Sequence, residues 1–270
     1  MAHQPDYLAV VVDDRFGFDP TTVFDPVATD YRDARPGYPD AFYDSLEELV
    51  GGLGGRAVAD IGAGTGIATA ALAMRGASVV AVEPSLVMLG RMGLPSITGR
   101  AEALPLRSAS QDLLTCAQAW HWVDPGRAVP ECGRVLKTGG HLALWWNVSD
   151  SKASWLSEVE AVSGIGPYGV GSHQDDPATL TAGDVFAAVE SRDISWHWTV
   201  PVDRWLRVAS TRSSSVTVVR NGGALPLQDL RAVFDRHFPE GEVTEIFTCH
   251  LAVATRVGSS PLPHARDVVT

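Results

Sequence analysis

The stretch VADIGAGTGIATAAL, residues 58 to 72, constrains this chain more than any other. A short apolar run ends in glycines and a helical pattern starts at once. Glycines let a backbone turn sharply and approach a ligand closely, and the helix that follows offers unpaired N–H groups. That much places a ligand in the crevice at the carboxyl end of a sheet. The spacing narrows the choice. A nicotinamide or flavin fingerprint needs G-x-G-x-x-G, but after Gly62 and Gly64 the third glycine is Gly66 and the required position holds Ile67. A phosphate-cradling P-loop would end in Gly-Lys-Ser/Thr, which is absent here. What fits is G-x-G-x-G, preceded by Asp60 and followed 21 residues after Gly62 by Glu83. Two carboxylates suit a cationic ligand carrying an ammonium and a ribose diol better than a pyrophosphate. Glu83, ending the next apolar run, is placed to accept both ribose hydroxyls. Asp60 is expected near the amino-acid end, acting through water.

The surrounding pattern repeats strand and helix. Strands are predicted over residues 56–61, 78–83, 94–99, 112–117 and 141–148, and helices over 41–50, 67–75, 86–92 and 127–136. Runs that are apolar on both faces, separated by helical patterns, mean a parallel sheet covered on both sides. After Asp150 the pattern changes: a helix over 152–162, a Gly- and Pro-rich loop over 164–178, a strand over 194–200, helices over 202–209 and 227–238, and a final strand over 246–257. Leu8 to Val12 reads as an extra strand or packing segment, and the tail from Gly258 as disordered. The expected division is an N-terminal lid or leader (1–50), a cofactor-binding core (51–150), cap helices with the strands that complete the sheet (151–257), and a tail (258–270).

A chain of 270 residues with 32 acids against 21 bases, net charge -11, and no basic run lacks the electrostatic footprint of a nucleic-acid binder. Cys116, Cys132 and Cys249 are odd in number and form no C-x-x-C pair, which favours a reducing compartment without a metal cluster. No histidine pair has metal-ligand spacing, so no metal is expected. The apolar stretch from Ala57 to Met74 is broken by Asp60 and glycines, and Leu8 to Val12 is too short for a signal-peptide core. The expectation is a cytoplasmic protein acting on a small molecule, with neither nucleic acid nor membrane as partner.

Seven blocks in order carry a resemblance to a known family: YRDARPGYP (31–39), DIGAGTG (60–66), VEPS (82–85), AEALPL (101–106), AQAWHWVD (117–124), RVLKTGG (134–140) and LALWWN (142–147). From about Phe24 to Asn147 the chain resembles the class I S-adenosylmethionine-dependent methyltransferases, in detail the type 11 small-molecule family. The resemblance implies a Rossmann-like α/β fold: a seven-stranded, mostly parallel sheet with helices on both faces, an antiparallel last strand and, here, a small helical cap. It implies S-adenosyl-L-methionine as cofactor. Asp60, Gly62, Ala63 and Gly64 would line its methionine and ribose side, Glu83 the ribose hydroxyls, and Pro84 the adenine. Ala101 and Glu102 fall where the family holds the adenine amino group, Gln118 and Ala119 follow the fourth strand under the sulfonium, and Tyr31 and Arg35 lie in the segment that closes over the methionine part.

Beside that strand end, His121 between Trp120 and Trp122 is a candidate general base; its bland alternative is a histidine that only orders the loop. Trp120, His121, Trp122 and Trp146 are expected to line the substrate pocket, although core packing competes for each Trp. Aromatic walls favour an apolar or aromatic acceptor, expected to be a secondary metabolite; a small carboxylic acid, as in the similar trans-aconitate methyltransferases, is the alternative. Two rivals stand beside plain methyl transfer: an enzyme that couples the sulfonium chemistry to, or replaces it with, a cyclisation, and a non-catalytic adenosyl-ligand-binding protein. The absence of an N-P-P-Y-type block after the fourth strand is consistent with a small molecule.

Overall fold

The computed structural model describes residues 19, 21–150, 152–166, 180 and 184–258. Among them, seven strands make one sheet: β1 (Ala57–Ile61), β2 (Ser78–Glu83), β3 (Ser96–Thr98), β4 (Gln111–Ala117), β5 (Leu136–Ser149), β6 (Phe186–Pro201) and β7 (Glu242–Arg256). Their order is β3-β2-β1-β4-β5-β7-β6. The first five pair in parallel, and β7 runs antiparallel between β5 and β6. Alternation along each strand sends neighbouring residues to opposite faces. Val58 packs on one face with Phe42, Tyr43 and Leu46 of α2 (Asp40–Val50) and Leu72 of α3 (Ile67–Met74). Ala59 and Ile61 pack on the other with Ala128, Val129 and Cys132 of α5 (Pro125–Val135).

The sheet's far end has a core of its own. Helices α6 (Ser154–Ser163), α7 (Val202–Ser210) and α9 (Leu227–His237) close an aromatic cluster over Trp198, Val200, Val243 and Phe247 of the β6–β7 ribbon. That cluster is the expected cap. The final strand is antiparallel as expected, and it lies inside the sheet, because β6 adds beyond it as the edge. Pairing with β7 extends β6 back to Phe186, through a stretch with no alternation to announce it. The helix expected over 86–92 is shorter, α4 (Leu86–Leu89), ending at Gly90. Two helices escaped the periodicity: α1 (Ala28–Ala34) is polar, and α8 (Ser213–Arg220) carries β-branched residues that favour strands in isolation.

Cys116, Cys132 and Cys249 are free thiols, all buried. Among the described residues no helix is long and apolar enough to cross a membrane, and no cluster of ligating side chains could hold a metal. The expectations for Leu8 to Val12, for most of the 164–178 loop and for the tail beyond Gly258 fall outside the described residues.

Candidate functional site

At the carboxyl ends of β1, β2 and β4 lies a cleft of about 850 Å³, counting the part open to solvent. Its floor comes from the glycine turn. Gly62, Gly64 and Gly66 have φ of 63°, 57° and 86°, a region open to glycine and costly for other residues. Gly62 also leaves no room for a side chain, since a Cβ there would stand 2.7 Å from that of Ala119. The chain can therefore pass directly under whatever fills the cleft.

Glu83 ends β2 at the cleft wall. Its Oε2 accepts from the Gly64 N–H at 2.8 Å and its Oε1 from the Ser85 N–H at 2.9 Å. Each oxygen keeps a lone pair for a ligand hydroxyl. Glu83 as a whole is only 7% exposed. Burial pushes its pKa up to about 7 against the pull of those two N–H bonds, with smaller upward contributions from Asp25 and Asp60. Asp60 does not itself line the cleft. It is fully buried beneath the turn, with Oδ2 and Oδ1 accepting from the hydroxyls of Thr69 (2.6 Å) and Thr115 (2.8 Å). Burial raises its pKa to about 6 although both threonines oppose the shift. With no exposed surface and no place in the cleft lining, it pins the turn to α3 and β4.

The structure brings most of the other expected cofactor residues together. Pro84, Ala101, Glu102, Gln118, Ala119 and Tyr31 line the cleft with Gly62, Gly64 and Glu83. Glu102 is held by the Asp124 N–H at 2.8 Å. Gln118 is one of two non-glycine residues with positive φ, 55°, among the described residues. Its backbone N–H donates to Trp145 O (2.9 Å) and its Nε2 to Asn147 O (3.3 Å), which over-determine the strained turn. Two expected residues stand back. Ala63 has its N–H turned to Val82 O. Arg35 lies 4.4 Å over the Tyr31 ring and donates to Thr211 through Nε and Nη2. It braces the wall without being part of it.

Of the expected substrate residues, only Trp122 lines the cleft. Trp120 and Trp146 are packed into the core beneath α5, the competing role for a large aromatic side chain. His121 sits between Trp120 and Trp122 in sequence, and burial drives its pKa down to about 4, so the imidazole is neutral at physiological pH. It does not line the cleft, so the general-base expectation loses its geometric footing.

Several lining residues were not singled out from the sequence: Thr21, Phe24, Met88 and Arg100. Phe24 meets Tyr31 and Trp122 edge-on at 5.4 and 6.3 Å, making an aromatic rim of three lining residues. The segment bearing Phe24 and Tyr31 is fastened by Asp25, which accepts from the hydroxyl of Ser85. Ser85 also caps α4 and donates its own N–H to Glu83, so rim and carboxylate share one support. The aromatic signal at Phe24 was present, but nothing in a polar leader says which ring folds inward.

Comparison with known proteins finds methyltransferases. A family model described as a methyltransferase domain matches residues 59–144. An uncharacterized methyltransferase of Mycobacterium tuberculosis is 37% identical over 194 residues, 69% of this chain and 75% of that protein. An uncharacterized methyltransferase-like protein of Schizosaccharomyces pombe is 35% identical over 143 residues, 50% of this chain and 55% of its own length. A solved structure from Anaeromyxobacter dehalogenans, provisionally named a type II methyltransferase, superposes with a TM-score of 0.62 at 24% identity, covering 81% of this chain and 97% of that one.

Proposed function

The chain belongs to the S-adenosylmethionine-dependent methyltransferases, and on that premise we propose that it methylates a small organic molecule presenting an apolar or aromatic surface. The aromatic rim of Phe24, Tyr31 and Trp122 carries this reading, because its rings, in contact with one another, give the cleft lining a continuous aromatic part beside the charged Glu83, Arg100 and Glu102.

The cleft fits the cofactor on its own features. The glycine turn admits close approach, and Glu83 keeps acceptor capacity for a ribose diol. When bound, S-adenosylmethionine supplies a methyl group already activated by a positive sulfur. The work left to the protein is placement. Glu83 would hold the ribose hydroxyls, Pro84, Ala101 and Glu102 the adenine, and Gln118 and Ala119 the sulfonium end. Phe24, Tyr31 and Trp122 would exclude water and hold the acceptor in line. Positioning of this kind supplies most of the acceleration in such transfers. We assign no proton transfer to His121, which does not line the cleft.

The test is calorimetric titration with S-adenosylmethionine, S-adenosylhomocysteine and NAD, followed by a screen of small acceptors with methyl-labelled cofactor, read by mass. Binding of both adenosyl ligands but not NAD, with label entering flat or apolar acceptors, is the expected result. Label entering only small charged acids would overturn the choice of acceptor class.

A further inference from the structure

Asn147 is the point where three parts of the molecule meet. It lies two residues beyond Trp145 on the same face of β5 and is 1% exposed. Its Nδ2 donates to the carbonyl of Gly37 at 3.1 Å, and its Oδ1 accepts from the indole Nε1 of Trp196 on β6 at 3.2 Å. Its main-chain carbonyl accepts from Nε2 of Gln118 at 3.3 Å. The partners of the side chain fix its orientation, since a carbonyl can only accept and an indole N–H can only donate.

Burying an amide costs free energy unless both its ends are bonded. Apolar residues fill the neighbouring positions, with Trp145, Cys249 and Leu251 in the same core. What an amide adds over another apolar group is direction. One end of this one grips the turn after Arg35, whose guanidinium lies over Tyr31 of the cleft wall. The residue's own carbonyl holds Gln118, the strained residue of the cleft floor. Trp196, stacked on Phe247 at 5.3 Å, keeps the amide from rotating away.

We propose that Asn147 is a positioning residue for methyl transfer, holding the Tyr31-bearing wall in register with the Gln118 floor so that the gap between cofactor and acceptor is preset. The inference rests on the assignment of this cleft to the adenosyl cofactor. Registration of this kind has leverage, because a misplacement of about 1 Å costs roughly 100-fold in rate.

Asn147→Asp tests it with almost no change of shape. One carboxylate oxygen still accepts from Trp196, while the other faces the Gly37 carbonyl, acceptor against acceptor. In the ligand-free full-length protein, amide exchange of residues 28–38 is expected to quicken about tenfold. The Kd for S-adenosylhomocysteine is expected to rise about tenfold. Trp196→Phe removes the other anchor without adding charge and should move both readouts the same way by about threefold; it carries the test should Asn147→Asp not fold. A merely structural asparagine would lower the melting temperature and quicken the exchange, and would leave the Kd of the folded protein alone. Either readout staying within twofold of wild type overturns the proposal. Failure of the wild type to bind the adenosyl ligand would instead sink the cofactor assignment, and with it the role of Asn147 in methyl transfer, whatever the exchange arm shows.

Discussion

At Glu83 the burial that aims the carboxylate also makes its charge expensive. Its pKa in the fold is about 7, against an ordinary value of 4.5. A carboxyl raised in this way binds more protons folded than unfolded between those two values, so its contribution to stability is lost as pH rises through that window. The difference corresponds to roughly 3 kcal/mol. Chemical denaturation of the ligand-free protein at pH 5 and pH 8 should therefore show a fall that is flattened by about that much in Glu83→Gln. Equal falls in both proteins would remove the assignment. The ligand reverses the balance, because ribose hydroxyls donate to the ionised form. Affinity for S-adenosylmethionine should drop about tenfold from pH 8 to pH 6, one unit below that pKa, with a proton released on binding at the lower pH. Calorimetry in buffers of different ionisation enthalpy reads both effects. Glu83→Ala should weaken binding more than tenfold, at least about 1.4 kcal/mol, and abolish the pH dependence. The glycines impose a second constraint at this scale. Gly62→Ala would force a Cβ to within 2.7 Å of Ala119 at a φ of 63°, at a cost of roughly 1–3 kcal/mol, with loss of cofactor binding measurable in the same titration.

Among the elements, α7 shows what a buried acid asks of its neighbours. Its Trp205 is fully buried, and the indole Nε1 donates to Oε2 of Glu245 on β7 at 2.6 Å. The other oxygen of Glu245 is buried with no hydrogen-bond partner among the described residues. Trp205→Phe would leave both oxygens without a donor, adding about 1–3 kcal/mol to the loss of packing. In a Glu245→Leu background the same change should cost at least 1 kcal/mol less, a coupling that a double-mutant cycle of urea unfolding would detect. Additivity within 0.5 kcal/mol would mean that the bond does not matter to the cap. The same ribbon shows how far sequence reading reaches. Ser78–Glu83 and the core of β7 were legible, because apolar runs and alternation are local signals. The first half of β6 was not, since ladder pairing with β7 holds it and its sequence, FAAVESRD, carries no periodicity. The glycine turn and Glu83 were legible as a site for the same local reason. Phe24, Asn147 and the displacement of Trp120 and Trp146 into the core depend on contacts between distant segments, which one strand or helix does not encode.

Across the whole molecule, the segment that bears the Tyr31 wall of the cleft is tied to the cap by bonds between distant parts of the chain. Arg35, just after α1, donates to Thr211 at the end of α7 at 3.0 and 2.7 Å, and Arg204 of α7 donates to the Ala34 carbonyl at 3.2 Å. The sheet beneath runs unbroken from β3 to β6. Wall, cap and sheet are thus joined by directional bonds, and anything that binds in the cleft should stabilise all three together. At a hundredfold excess over Kd, a ligand that binds only the folded state adds about 2.7 kcal/mol. For a chain of this size that raises the melting temperature by roughly 6 °C. The tryptophans allow the coupling to be seen, since Trp155, Trp198 and Trp205 lie in the cap and Trp145 and Trp146 in the central sheet. Fluorescence of variants that keep only one of these sets should melt together with the far-ultraviolet circular dichroism, and both transitions should move with S-adenosylhomocysteine. Thr211→Val removes the hydroxyl that accepts from Arg35 and leaves the carbonyl in place, so it should reduce the ligand-induced rise without separating the transitions. A cap that melted several degrees early, unmoved by ligand, would show that the bonds between α1 and α7 carry no coupling and that the sheet binds its ligand alone.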